Sequence, residues 1–153
     1  MSLSSVREFL AARAPDIEVF ELAASTATVA LAAETLGVAP GQIAKTLSLQ
    51  VGDDVILLVT RGDARLDNRK YKQHFGVKAR MLDASAVHDA TGHPVGGVSP
   101  FGLARPLRVC CDVSLKAFDE VFPAGGAFNA AVRIAPERMA LLTGAEWVDV
   151  AQD

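Results

Sequence analysis

The stretch Gln42-Ile43-Ala44-Lys45-Thr46-Leu47-Ser48-Leu49-Gln50-Val51-Gly52-Asp53-Asp54-Val55-Ile56-Leu57-Leu58-Val59-Thr60 decides the fold. From Lys45 to Val51 apolar and polar residues alternate, the two-residue period of a strand. Gly52-Asp53-Asp54 is a short hairpin connection. Val55 to Thr60 is a continuous apolar run, as in a central strand covered on both faces. The two strands are expected to pair antiparallel. Lys45 begins the first of them, behind a turn at Pro40-Gly41-Gln42-Ile43-Ala44.

Working outward, helices and strands alternate. Ser4 to Ala14 carries Val6, Phe9 and Leu10 at helical spacing and stops at Pro15. A short strand over Ile17, Val19 and Leu22 leads to a helix capped by Thr28 and ended by Gly37. Beyond the hairpin, Asp67 or Asn68 caps a helix that closes at Gly76, with Tyr71 and Phe75 on its inner face. A strand over Val77 to Met81 and a helix from Asp83 to Ala90 are expected next. The Gly- and Pro-rich stretch Thr91 to Gly102 then forms the longest irregular segment. Strands follow over Leu107 to Asp112, Glu120 to Phe122 and Phe128 to Ile134, with a turn at Pro123-Ala124-Gly125-Gly126. A helix from Pro136 to Gly144 and a strand at Trp147-Val148-Asp149 finish the pattern, and Val150 to Asp153 form a loose end. The class is α+β, and residues 1–153 are expected to form one domain.

The 153 residues are 50% hydrophobic and 22% charged, which suits a globular core and argues against extended disorder. No apolar run approaches the roughly 20 residues that span a bilayer, and Met1-Ser2-Leu3-Ser4-Ser5 lacks the blocks of a signal peptide. No membrane association is expected, and the location is expected to be cytoplasmic. Cys110 and Cys111 are adjacent, so in a strand they point to opposite faces as small buried hydrophobes. The absence of any CxxC pair or Cys/His cluster leads us to expect no metal and no cofactor. The net charge of -3 argues against a protein that coats nucleic acid. Yet Arg61, Arg65, Arg69, Lys70, Lys72, Lys78 and Arg80 face only Asp63 and Asp67 in their segment. That run is either a solvated helix face or a local landing site for phosphates.

Several chemistries are excluded. No Gly-Lys-Ser/Thr follows the glycine-rich loop, its order is not G-x-G-x-x-G, and Ser99 lacks a G-x-S-x-G elbow. What the loop offers is backbone. Gly92, Gly96, Gly97 and Gly102 allow close approach, while Pro94 and Pro100 limit flexing, so N–H groups can converge on an oxyanion or carbonyl oxygen. A structural Ω-loop fits the same residues equally well. Lys45 is either a surface lysine or a cation held on a rigid element to anchor a phosphate or ester oxygen.

Two separated signatures then point the same way. Thr26-Ala27-Thr28-Val29 with Ala32-Ala33, Leu36-Gly37-Val38 and Gln42-Ile43-Ala44-Lys45-Thr46-Leu47 resembles the first signature of the YbaK family, the prolyl-tRNA-synthetase-associated or editing-insertion domains. Thr91 to Gly102, with its Gly-x-x-x-Pro loop at Gly96 to Pro100, resembles the second. Ala124-Gly125-Gly126-Ala127-Phe128-Asn129-Ala130 resembles the family's late glycine turn.

The resemblance implies a mixed, largely antiparallel and strongly curved sheet surrounded by helices. It also implies hydrolysis of mischarged aminoacyl-tRNA without a protein nucleophile. Lys45 matches the family lysine, which would position the terminal nucleotide or the aminoacyl carbonyl. The backbone around Gly96, Gly97, Val98 and Ser99 would bind the carbonyl or amino-acid end. Water would attack, assisted by a ribose hydroxyl of the substrate. Thr26, Pro100, Phe101, Gly125 and Asn129 would help to line the pocket. His93 stands where the family often has an aromatic residue, and is read as a packed loop residue before a general base. Arg69, Lys70 and Lys72 become candidate contacts for the acceptor end of tRNA, with an aminoacyl-tRNA synthetase as a further partner. With no synthetase domain attached, the expected role is a freestanding editing factor; the rivals are a binding module without turnover and an interaction domain.

Overall fold

The central hairpin follows from its pattern. In the computed structural model, which describes residues 2–153, β2 (Ile43–Val51) and β3 (Asp54–Arg61) pair antiparallel from Ala44 opposite Arg61 to Val51 opposite Asp54. The turn between them needs Gly52 at a φ of 59°. Ile56 to Val59 are fully buried, because both faces of β3 are covered. On one face Leu57 and Val59 pack against Val6, Leu10 and Met139; on the other, Ile56 and Leu58 pack against Tyr71.

Around this hairpin lie α1 (Ser2–Arg13), β1 (Val19–Glu21), α2 (Val29–Leu36), α3 (Asn68–Phe75), α4 (Ala84–Thr91) and β4 (Arg108–Asp112). They are followed by β5 (Phe122–Pro123), β6 (Ala130–Val132), α5 (Pro136–Thr143) and β7 (Glu146–Val148). The main sheet runs β5-β2-β3-β4-β7, and β1 pairs with β6 in a second, two-stranded sheet. This is a single-domain α+β fold with a curled, mixed sheet. Its antiparallel ladders are β2–β3 and β1–β6, while the β2–β5, β3–β4 and β4–β7 joins are parallel. Each parallel join follows a long crossover, as parallel geometry requires.

The predicted caps form. Thr28, Asp67 and Asp83 each accept a hydrogen bond from the third residue beyond, and Gly37, Gly76 and Gly144 close α2, α3 and α5 in the left-handed region. Cys110 joins the core layer beneath α3 and Cys111 the opposite one, and burial pushes both thiols up to about 12. No described helix is long and apolar enough to cross a membrane.

Two expectations fail. Val77 to Met81 is not a strand; it is exposed and meets β2 only through the single Leu49–Met81 bridge and the Gln50 N–H to Arg80 carbonyl bond. Its polar and charged side chains have no second layer to cover them. The C-terminal end is not loose either, since Val150 and Ala151 are buried. The buried carboxylate of Asp112 accepts from Val150 N–H at 2.8 Å and from Ser114 N–H at 2.9 Å, tying the tail to the end of β4. Asp112→Ala leaves both donors unmet and should destabilise the fold by about 2–4 kcal/mol. A shift of the urea midpoint checks this, with an unchanged midpoint counting against the tie.

Candidate functional site

A cavity of about 320 Å³ opens at the outer edge of β2. Its walls come from the start of α2, the start of α4, the loop at Val95 to Val98, and the segment from Phe122 to Ala124 with Ala130 and Ala131. The Thr28 cap starts α2 where its Ala32 and Leu36 reach the cavity wall. Most of the lining is apolar.

The cavity exists because the outer edge of β2 is paired only at its two ends. β5 pairs with Ile43 and Ala44, and residues 80–82 pair with Ser48 and Gln50 through the bonds Leu82 N–H to Ser48 carbonyl and Gln50 N–H to Arg80 carbonyl. Because main-chain groups alternate sides along a strand, the N–H and C=O of Thr46 also point to this edge, and there they face the gap. The Thr46 hydroxyl is buried without a hydrogen-bond partner.

Lys45 lines the same cavity, three residues into β2 and not at its start. Its ammonium is half-buried and donates to the Ala64 carbonyl at 2.6 Å. Burial holds its pKa below the ordinary lysine value; the Asp63 charge opposes that shift and the Arg65 charge reinforces it. Asp63 is itself clamped by the Arg61 guanidinium at 2.6 and 3.1 Å. Lys45 makes no ion pair among the described residues, and its remaining donors are open to a ligand.

The loop divides into lining and support. Gly96, at a φ of 88°, and Val98 line the cavity, as does Thr26, whose neighbour Ala27 packs against Gly96. Their neighbours do not. The Gly97 N–H is spent on the Pro94 carbonyl at 3.0 Å, and a Cβ there would meet the backbone of Ala127 at 2.8 Å. Ser99 is buried with its hydroxyl accepting from Phe101 N–H, Pro100 is buried, and Phe101 is a core residue stacked on Phe9. These four hold the loop down. At the late turn, Gly125 N–H bonds to the Ala130 carbonyl and the Asn129 amide donates to the Leu22 carbonyl, so neither residue reaches the cavity. The family resemblance implies a place for all six at the substrate site; their spacing carries no sign of whether a loop residue faces cavity or core.

His93 is fully buried outside the cavity. Its Nε2 donates to the Phe101 carbonyl at 2.8 Å and its Nδ1 lies 2.5 Å from the Ser2 hydroxyl, whose oxygen also sits against the Gly126 carbonyl. The imidazole thus links α1, the loop and the late turn. Of the three basic candidates, Lys70 is already committed to Asp149, Asp153 and the Ala151 carbonyl, whereas Arg69 and Lys72 are exposed and make no ion pair among the described residues. Lining residues that sequence reasoning missed include Leu36, Ser48, Met81, Val87 and Phe122. The apolar ones carry no chemical signature, but Ser48 was visible as a polar step of the β2 alternation.

A mostly apolar cleft bordered by a partly desolvated lysine and by backbone donors is the layout of a site for a small acyl group joined to a polar or anionic moiety. The chain belongs to the aminoacyl-tRNA editing domain family, whose model matches residues 23–141. Among its relatives, the uncharacterised protein YwhH of Bacillus subtilis is 48% identical over 100% of this chain and 99% of its own length. The proline–tRNA ligase of Citrifermentans bemidjiense is 37% identical over 53% of this chain, a match that takes in 14% of the ligase. A solved structure described provisionally as a trans-editing enzyme for prolyl tRNA synthetase superimposes with a TM-score of 0.90, at 34% identity, over 99% of this chain and 98% of the other.

Burial holds the His93 pKa below the ordinary imidazole value, against the Phe101 carbonyl, which raises it. The unfolded chain therefore takes up this proton first as pH falls. The stability that His93 contributes is full above the unfolded value and is lost as pH drops from there toward the folded one. Unfolding free energies measured from pH 8 to 5 should fall less steeply in His93→Gln than in wild type. Parallel slopes would show that His93 is not buried as a neutral ring.

Proposed function

We propose that the chain is a trans-editing hydrolase that deacylates mischarged aminoacyl-tRNA. The observation that carries this reading is the meeting of Lys45 with Gly96 and Val98 around one cavity of acyl-group size. Among the described residues the amides of Gly96 and Val98, unlike that of Gly97, have no backbone partner. In this reading the Lys45 ammonium binds the terminal nucleotide or the ester carbonyl, and the two amides polarise the carbonyl. Water adds to the carbonyl carbon, the bond to the ribose oxygen breaks, and that oxygen takes the proton, releasing amino acid and free tRNA. No side-chain nucleophile is required, in keeping with the buried, internally bonded state of Ser99 and His93.

The acceptor end of tRNA would approach over the basic segment. Arg65, whose charge already acts on Lys45, joins Arg69 and Lys72 as candidate phosphate contacts, with Lys70 held in its acidic clamp. Binding would be local and salt-dependent, as suits a protein of net charge -3.

Release of amino acid from a panel of mischarged tRNAs tests the reading. Wild type should deacylate at least one member, and Lys45→Ala should lower kcat/KM by about 100-fold or more, the scale of losing one electrostatic contact in a catalytic site. Binding without release by wild type would favour a module that recognises tRNA or a synthetase without turnover. Full activity in Lys45→Ala would remove the lysine from the mechanism. Arg65→Gln combined with Arg69→Gln should flatten the slope of log affinity against log salt, measured by filter binding, by about 0.9 for each phosphate that is no longer neutralised. An unchanged slope would return these arginines to plain surface.

A further inference from the structure

The residues that follow β3 form a turn against Lys45, and the proposed hydrolysis leaves their chemistry unused. Ala64 N–H closes the turn onto the Arg61 carbonyl at 3.0 Å, and the Ala64 carbonyl receives the Lys45 ammonium at 2.6 Å. The turn has little freedom to move. Arg61 N–H donates to the Ser114 hydroxyl at 3.3 Å, and the Arg61 guanidinium lies 5.2 Å from the centre of the Phe118 ring. Gly62 is wedged against the segment that leads into β2, where a Cβ would stand 2.2 Å from the Pro40 carbonyl and 2.8 Å from that of Ile43.

Among the described residues Lys45 is the one ionisable group in the cavity lining. A partly desolvated cation in an apolar cleft needs a negative charge near it to stay protonated. Burial works against the ammonium's charge, Asp63 supports it and Arg65 opposes it. Asp63 precedes the residue that accepts from Lys45, yet it makes no ion pair with it, because Arg61 clamps both carboxylate oxygens at 2.6 and 3.1 Å. Those bonds hold the Asp63 carboxyl below the ordinary carboxylate value, and the Lys45 charge adds to the effect. The outcome is attraction without contact. The carboxylate stabilises the ammonium and takes none of its donors, whereas a direct ion pair would stabilise the charge and block it from a ligand.

We propose that Asp63 and Arg61 are positioning residues of the cavity: Asp63 supplies the counter-charge for Lys45, and Arg61 restrains that carboxylate from closing onto the ammonium and occupying its ligand donors. The link to substrate rests on the editing reading, in which Lys45 is the cation that meets the aminoacyl ester. Neither residue touches substrate there. Both act through Lys45.

The two substitutions that test this should move Lys45 in opposite directions, which damage to the fold would not do. In the whole chain carrying isotopically labelled lysine, the Lys45 Cε resonance, identified by its loss in Lys45→Arg, reports the protonation of that ammonium by nuclear magnetic resonance. Asp63→Asn removes the attraction and leaves Arg65 opposing, so the resonance should titrate at lower pH than in wild type. Arg61→Gln frees the carboxylate to approach, so it should titrate at higher pH. Both shifts should shrink as salt is raised, because Asp63 is exposed. The alkaline limb of kcat/KM for deacylation should follow the same order, and Arg61→Gln should also raise KM as the freed carboxylate competes with substrate for the ammonium. A Lys45 titration unmoved in both variants, or moved the same way in both, overturns the proposal and leaves editing intact. Opposed shifts in a protein that deacylates no mischarged tRNA overturn the editing reading while the roles of Asp63 and Arg61 at Lys45 stand.

Discussion

The site depends on incomplete pairing along one strand edge. β2 is bonded fully to β3 on its inner side, but on its outer side only its ends are covered, by β5 and by residues 80–82. Neither neighbour is built to extend across the middle. β5 is two residues long and includes Pro123, which has no N–H to donate, and the other segment gives way at Leu82 to the Asp83 cap of α4. The main chain at Thr46 is therefore left facing a cleft, and α2, α4 and the glycine-rich loop form walls around it. An edge paired throughout would leave no room for a ligand at Lys45.

The loop contributes rigidity as well as surface. Gly97 permits close contact with Ala127, and Gly102 takes a left-handed conformation where a Cβ would strike the Ser5 carbonyl at 2.5 Å. Phe101 is driven into the core against Phe9, and His93 bonds to the Phe101 carbonyl and to Ser2. These contacts fix Gly96 and Val98 at the rim without entering the cavity themselves. Lys45 is held differently. Its ammonium has one strong neutral acceptor in Ala64 and a nearby carboxylate already claimed by Arg61, so its remaining donors are open to a ligand, while burial works against its charge.

Much of this was legible in the sequence because it rests on local chemistry. The period-two run from Lys45 to Val51, the turn at Gly52 and the apolar run to Thr60 specify a hairpin wherever they occur. Thr28, Asp67 and Asp83 cap helices because a side-chain oxygen so placed meets orphan N–H groups. The adjacency of Cys110 and Cys111 sends them to opposite layers through strand geometry alone. The family resemblance rested on similarly local strings, including Lys45 and the loop from Gly96 to Pro100.

Tertiary structure alone decided which of those residues face the cavity. Gly97, Ser99, Pro100 and Phe101 lie beside Gly96 and Val98 in the chain, yet long-range packing against Ala127 and α1 turns them inward. Lys70 is indistinguishable in sequence from its neighbours Arg69 and Lys72, and only the folded tail brings Asp149 and Asp153 to it. Sequence determined where strands, helices and turns form, since those follow from periodicity and capping within a few residues. The open edge beside Thr46 exists only because partners distant in sequence reach the two ends of β2 and leave its middle bare.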